Sequence, residues 1–141
     1  YEMLRSLVGS EMCIRDRMED GARRLGAAFQ KVNFLRDLAE DTHDLGRSYF
    51  QSFGRIDDAA KAAIVAEIRS DLAAASDAIG MLPVTVRAAV LAAANLFAEL
   101  TDMIDAMPAR ELTTTRVSVP AHRKALLTVH AAAQAAGRRW R

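Results

Sequence analysis

A single cysteine, Cys13, excludes a disulfide framework, so the fold must be held by packing. Three prolines and seven glycines in 141 residues are too few for the closely spaced turns of an all-β sandwich or barrel. Three scattered histidines without cysteine partners leave no zinc set. The net charge of +1 gives no general electrostatic case for nucleic acid. Lysine and arginine gather between Arg116 and Arg141, but a short basic helix is usually solvated surface. No apolar run approaches the length of a transmembrane helix, and nothing at the start reads as a signal peptide. What is present is alanine-rich, 51% hydrophobic and 26% charged. Such a composition favours helix and folding into one domain or a piece of one.

The first seventeen residues differ from the rest. "SLVGSEMCIRDR" shows neither a helical nor an alternating period, and Gly9-Ser10 interrupts it. Leu7 to Arg17 back-translates into a string resembling a sequencing-library transposon adapter read in frame. Residues 1–17 are therefore set aside as foreign, and Cys13 with them. The genuine sequence is expected to span 18–141 and to be the C-terminal portion of a longer domain.

Four helical segments are expected there. The first runs from about Gly21 to His43, before Gly46 and Gly54 break the pattern. A second spans about Asp57 to Ile79, capped by Asp57 or Asp58 and stopped by Gly80 and Pro83. Pro83 opens a third that reaches about Met107. "PARELTTTRVSV" is a connector, and the last helix runs from Pro120 to about Arg138. The first helix is apolar on nearly all sides and needs neighbours.

Within that helix, Gln30, Asn33, Asp37, Asp41 and Asp44 fall within roughly 40° of Asp37 on a 3.6-residue repeat. Phe34 and Leu38 bound this oxygen-bearing seam on one side and Phe29 on the other. Stacked carboxylates repel, and burying them without a counter-charge costs several kcal/mol. A divalent cation removes the conflict. Hard oxygen donors without thiolate or imidazole suit Mg²⁺, which typically shares its shell with substrate phosphates. The competing reading is a solvated helix face, with Lys31 and Arg36 as ordinary salt-bridge partners.

The longer string "GAAFQKVNFLRDLAEDTHDLGRSYF" resembles the second aspartate-rich motif of the squalene and phytoene synthase family. That pattern, Q-x-x-N-x-x-R-D-x-x-x-D followed by G-R-x-Y, is met by Gln30, Asn33, Arg36, Asp37, Asp41, Gly46, Arg47 and Tyr49. "GMLPVTVRAAVLAAANLFAEL" is similar to the family's Leu-Pro-x-x-x-Arg helix, and "TTRVSVPAHRKALL" to its Arg-Val-x-Val segment. The resemblance implies an all-α terpenoid-synthase fold around a central cavity. It implies head-to-head condensation of two prenyl diphosphates, with the phytoene synthase branch, which joins geranylgeranyl diphosphate, fitting better than squalene synthase. Asp37 and Asp41, with Asn33, would hold Mg²⁺ against a diphosphate. Gln30 and Arg36 would contact diphosphate or order the metal shell. Arg47, Tyr49 and Arg116 would complete the substrate site, and Phe29 and Phe34 would wall the cavity.

Three departures stand against the resemblance. Gln51 replaces the usual proline, and Phe97 sits where many members have tyrosine. The first aspartate-rich motif, expected on a facing helix, is not found. The parent is thus expected to be an enzyme, and this chain alone to be inactive. A cytoplasmic location is expected, with peripheral contact at the inner membrane face of a bacterium. Two other classes compete: a non-enzymatic assembly protein on the same fold, and a nucleic-acid binder using Arg116, Arg123, Lys124, Arg138, Arg139 and Arg141. Assembly factors tend to lose the aspartates kept here, and an acidic stripe repels nucleic-acid phosphate unless metal intervenes.

Overall fold

The computed structural model describes residues 2–44 and 56–137, with side chains in 2–10 and 39–44 left undescribed. Among the described residues all regular structure is helical, as expected. The order is α1 (Glu2–Asp44), α2 (Asp58–Gly80), α3 (Val84–Ala106), α4 (Ala109–Leu112) and α5 (Ala121–Gly137). α1 packs on α2, α2 on α3, and α3 on α5, while α4 closes against α1.

α1 corrects the expectation of an irregular start. It is unbroken from Glu2, so Gly9-Ser10 is absorbed into helix and not used as a break. One glycine costs a helix only about 1 kcal/mol, and the surrounding Leu, Met, Glu and Arg are good helix formers. Residues 11–17 are all exposed, and the packed part of α1 begins near Gly21. At Gly21 the backbones of α1 and α2 meet: a β-carbon there would lie 2.2 Å from Ala78 Cβ. Only glycine permits that approach.

The core joins α1 through α4 and the segment after α4. Ala28, Val32, Leu35 and Leu38 of α1 meet Val65 and Ile68 of α2, Leu100 and Ile104 of α3, and Leu112, Val117 and Val119. Beside this core a charged seam binds α1 to α2. Asp71 accepts hydrogen bonds from Lys31 Nζ at 2.8 Å and Arg24 Nη1 at 3.2 Å, and Glu67 lies 2.9 Å from the same ammonium. The hydrogen bond from Lys31 holds the Asp71 carboxyl below its ordinary range, and the same bond raises Lys31.

Helix ends are fixed by side chains, some local and some from other elements. Asp57, one of the two expected caps, accepts the Ala60 N–H at 2.7 Å. Asp58 instead accepts from the Ala109 amide at 2.8 Å and so fixes the start of α4. The buried Lys61 ammonium donates to the carbonyls of Ile104, Asp105 and Met107 at the C-terminal end of α3, where a helix runs out of its own amide donors. Arg87, from the Leu-Pro-x-x-x-Arg stretch, donates through Nε and Nη2 to Leu82 O and through Nη1 to Ala135 O. It thereby ties the α2–α3 turn to α5.

α3 also corrects the membrane reading. With mean hydropathy 1.4, it is long and apolar enough to cross a membrane by length and composition. The sequence expectation undervalued its alanines. Arg123–Glu99 at 2.7 Å and Asn95–Gln134 at 3.1 Å link it to α5, and Arg69 of α2 binds Asp102 and Asp105.

Candidate functional site

The core-facing residues of α1 determine where the acidic ladder lies. Val32 and Leu35 are fully buried and sit about 140–160° around the helix from Asp37. The ladder therefore occupies the side of α1 turned away from the main core. Gln30 is exposed, whereas Asn33 and Asp37 are half-buried. Phe29 stacks on Phe97 of α3, centroids 4.0 Å apart, which closes one flank as the pattern suggested. The other flank differs from expectation. Phe34 is 48% exposed, so this flank faces solvent to a large extent where a cavity wall was expected.

Two guanidiniums converge on Asp37. Arg36 Nε lies 2.9 Å from Oδ1 and Nη2 lies 3.4 Å from Oδ2, a two-point clasp between sequence neighbours. Arg116 Nη2 reaches the same Oδ1 at 3.5 Å from the far end of the chain. Its route is legible in the strand-like stretch after α4. Val117 and Val119 are buried while Arg116 and Ser118 are exposed, so a period of two anchors the segment and leaves Arg116 turned outward.

Beside this pair opens a cleft of about 380 Å³. Arg36, Arg116, Lys124 and Ser118 line it together with Leu96 and Leu100. Three cations thus stand over an apolar base, and two of them, Arg36 and Arg116, also contact the Asp37 carboxylate. The sequence leaves Arg116 and Lys124 evenly balanced between site and solvated surface, and it does not single out Ser118. The alternation in "RVSV" was the available signal, since it pairs Ser118 with Arg116.

The expected set is thus only partly assembled. Asn33, Arg36, Asp37 and Arg116 are brought to one region, but Arg36 and Arg116 hold Asp37 itself. Lys31, by contrast, is a plain salt-bridge partner of α2. Asp41 and Asp44 lie on the α1 backbone with their side chains undescribed, and Gly46, Arg47, Tyr49 and Gln51 fall outside the described residues. Among the described residues no group of three or more His, Cys, Asp or Glu is placed to hold a metal. A second D-x-x-x-D spacing, Asp16 and Asp20, exists on α1 itself. Asp20 is exposed, pairs with Arg23 and Arg24, and lies roughly 25 Å along the axis from Asp37, so it is no facing jaw.

Residues 2–50 match the squalene/phytoene synthase family. Over that stretch, about a third of its length, the chain is similar to this family. Its members are prenyltransferases that join prenyl diphosphates head to head, and the all-α architecture agrees with the family's helical fold. The match contains the whole ladder and the G-R-x-Y stretch. It also runs back through residues 2–17, so the division at residue 17 rests on the back-translation alone. No curated protein and no solved structure gives a significant match.

Proposed function

We propose that this chain carries the second aspartate-rich half-site of a magnesium-dependent synthase condensing two prenyl diphosphates, with geranylgeranyl diphosphate to phytoene as the reaction. The observation that carries this reading is Asp37 in contact with Arg36 and Arg116, which line one cleft together with Lys124. A carboxylate beside converging cations is what a metal–diphosphate pair requires, since each of its charges then finds a partner.

The donor chemistry fits magnesium as a half-site. Asp37 and Asn33 offer hard oxygens on adjacent turns of one rigid helix, and Asp41 continues the series in sequence. Held by Asn33, Asp37 and Asp41, a bound Mg²⁺ would supply the positive charge that stabilises a departing diphosphate. Arg36, Arg116 and Lys124 bind and orient the phosphate oxygens. Leu96 and Leu100 exclude water from that side of the cleft. Gln30, Arg47 and Tyr49 complete the substrate contacts implied by the motif. The exposed Phe34 beside the ladder is the surface that a facing helix with the other aspartates would cover. Without that helix the chain binds but does not turn over. A long-chain lipid diphosphate accords with a cytoplasmic enzyme in peripheral contact with the membrane.

The test is titration of geranylgeranyl diphosphate into the chain with and without Mg²⁺. Binding should require Mg²⁺ and weaken at least about tenfold in Asp37→Ala and Asp41→Ala, the loss of one or more charge-assisted contacts. Binding that ignores both the ion and the substitutions would defeat the reading, and phytoene formed by the chain alone would refute its inactivity.

A further inference from the structure

We infer that Asp37 is a tethered competitor for its own anion cleft, occupying Arg36 and Arg116 until a cation neutralises it. The inference rests on the cleft being a diphosphate site and concerns how that site is switched. Both arginines line the cleft, yet both are also on Asp37: Arg36 through two points at 2.9 and 3.4 Å, Arg116 through one at 3.5 Å. A carboxylate fixed to the same helix as Arg36 competes at high effective concentration against any anion arriving from solution. The Arg36 side chain is 25% exposed and that of Asp37 32%, so solvent screens this contact less than an open surface pair.

The consequence is a sign reversal. With metal present, Asp37 recruits diphosphate; without metal, it excludes it. Metal and diphosphate then bind cooperatively through release of two side chains, beyond any direct bond between ion and phosphate, and the coupling is reciprocal. A metal-free site that holds no loose anion also keeps phosphate and pyrophosphate from occupying the cleft unproductively.

Metal-free pyrophosphate binding, measured calorimetrically in excess chelator, tests the inference. Asp37→Asn should tighten pyrophosphate about fivefold, the scale of one partly exposed ion pair. Asp37→Ala should repeat that gain, which guards against an altered fold in either variant. In an Arg116→Gln background the gain from Asp37→Asn should fall to about half or less. Equal gains in both backgrounds would mean a general field effect and overturn the inference, as would no gain at all. Should no protein in the series bind pyrophosphate, with or without Mg²⁺, the cleft reading itself fails and takes this inference with it. Binding by the wild type with Mg²⁺, but no gain from Asp37→Asn without it, removes the switch alone.

Discussion

Gly21 and Ala78 meet where α1 and α2 pack closely, and the missing β-carbon of Gly21 is what permits the approach. A β-carbon placed there would need the helices to part, since Ala78 has no flexible end to move aside. Gly21→Ala should therefore destabilise by about 1–3 kcal/mol, the usual cost of overpacking, even though alanine is the better helix former. The partner change Ala78→Gly should recover part of that loss. Gly26, five residues on, has nothing within 4 Å of its would-be β-carbon. There the same glycine-to-alanine change should stabilise by about 0.5–1 kcal/mol. Thermal melts of these variants check both signs.

The α1–α2 charge seam predicts a stability profile in pH. Asp71 has its folded pKa lowered from 3.8 by the hydrogen bond from Lys31. Its contribution is complete above 3.8 and is lost as pH falls below that value through the folded pKa. Lys31 is raised from 10.5, so its contribution is complete below 10.5 and is lost as pH rises beyond it. Asp71→Asn should flatten the acid limb of a denaturation series run from pH 6 to pH 2. An unchanged acid midpoint would show that the pair adds nothing.

Arg87 should behave as a structural residue and not as a ligand of the diphosphate. It is 6% exposed, and its guanidinium is directed at Leu82 O and Ala135 O. Arg87→Met should cost about 2–3 kcal/mol, because buried carbonyls lose a charged donor. Pyrophosphate affinity in the folded variant should stay within about twofold of wild type, less than the loss of one hydrogen bond. A loss of affinity with unchanged stability would reverse this assignment.

These outcomes bear on how far the sequence could be read. The boundaries of α2, α3 and α5 were legible within a residue or two because Asp57, Gly80, Pro83 and Pro120 are local signals, whereas α1 starts far ahead of the expected Gly21 and α4 lies inside the stretch read as a connector. The seam at Gln30, Asn33 and Asp37 was legible for the same reason, since helical spacing is a local property. What the spacing could not reveal was occupancy. Arg36 chooses its sequence neighbour, and Arg116 arrives from a segment whose path depends on the burial of Val117 and Val119. Nor could periodicity distinguish Phe29, which finds Phe97, from Phe34, which finds solvent. Both are equally apolar in the pattern, and only the placement of α3 separates them. At the N-terminus, period analysis failed where propensity was the better guide, because a helix can be continuous without being amphipathic.

Lys61 connects the fold to the cleft, and its loss should be felt in both. Its ammonium gathers the carbonyls of Ile104, Asp105 and Met107 at the negative end of α3, from a position 5% exposed. Next along the chain come α4 and the segment that carries Arg116. Lys61→Met keeps the aliphatic stem but removes all three donors and the favourable charge at the helix end. It should cost about 2–3 kcal/mol in stability, from the charged hydrogen bonds and the dipole together. Hydrogen exchange should quicken most in residues 107–119, where Asp58 is left as the neighbouring tie through Ala109 N. Because Arg116 is placed by that segment, Mg²⁺-dependent pyrophosphate binding should weaken alongside the faster exchange. Faster exchange with unaltered binding would show instead that Val117 and Val119 hold Arg116 in place without the corner above them.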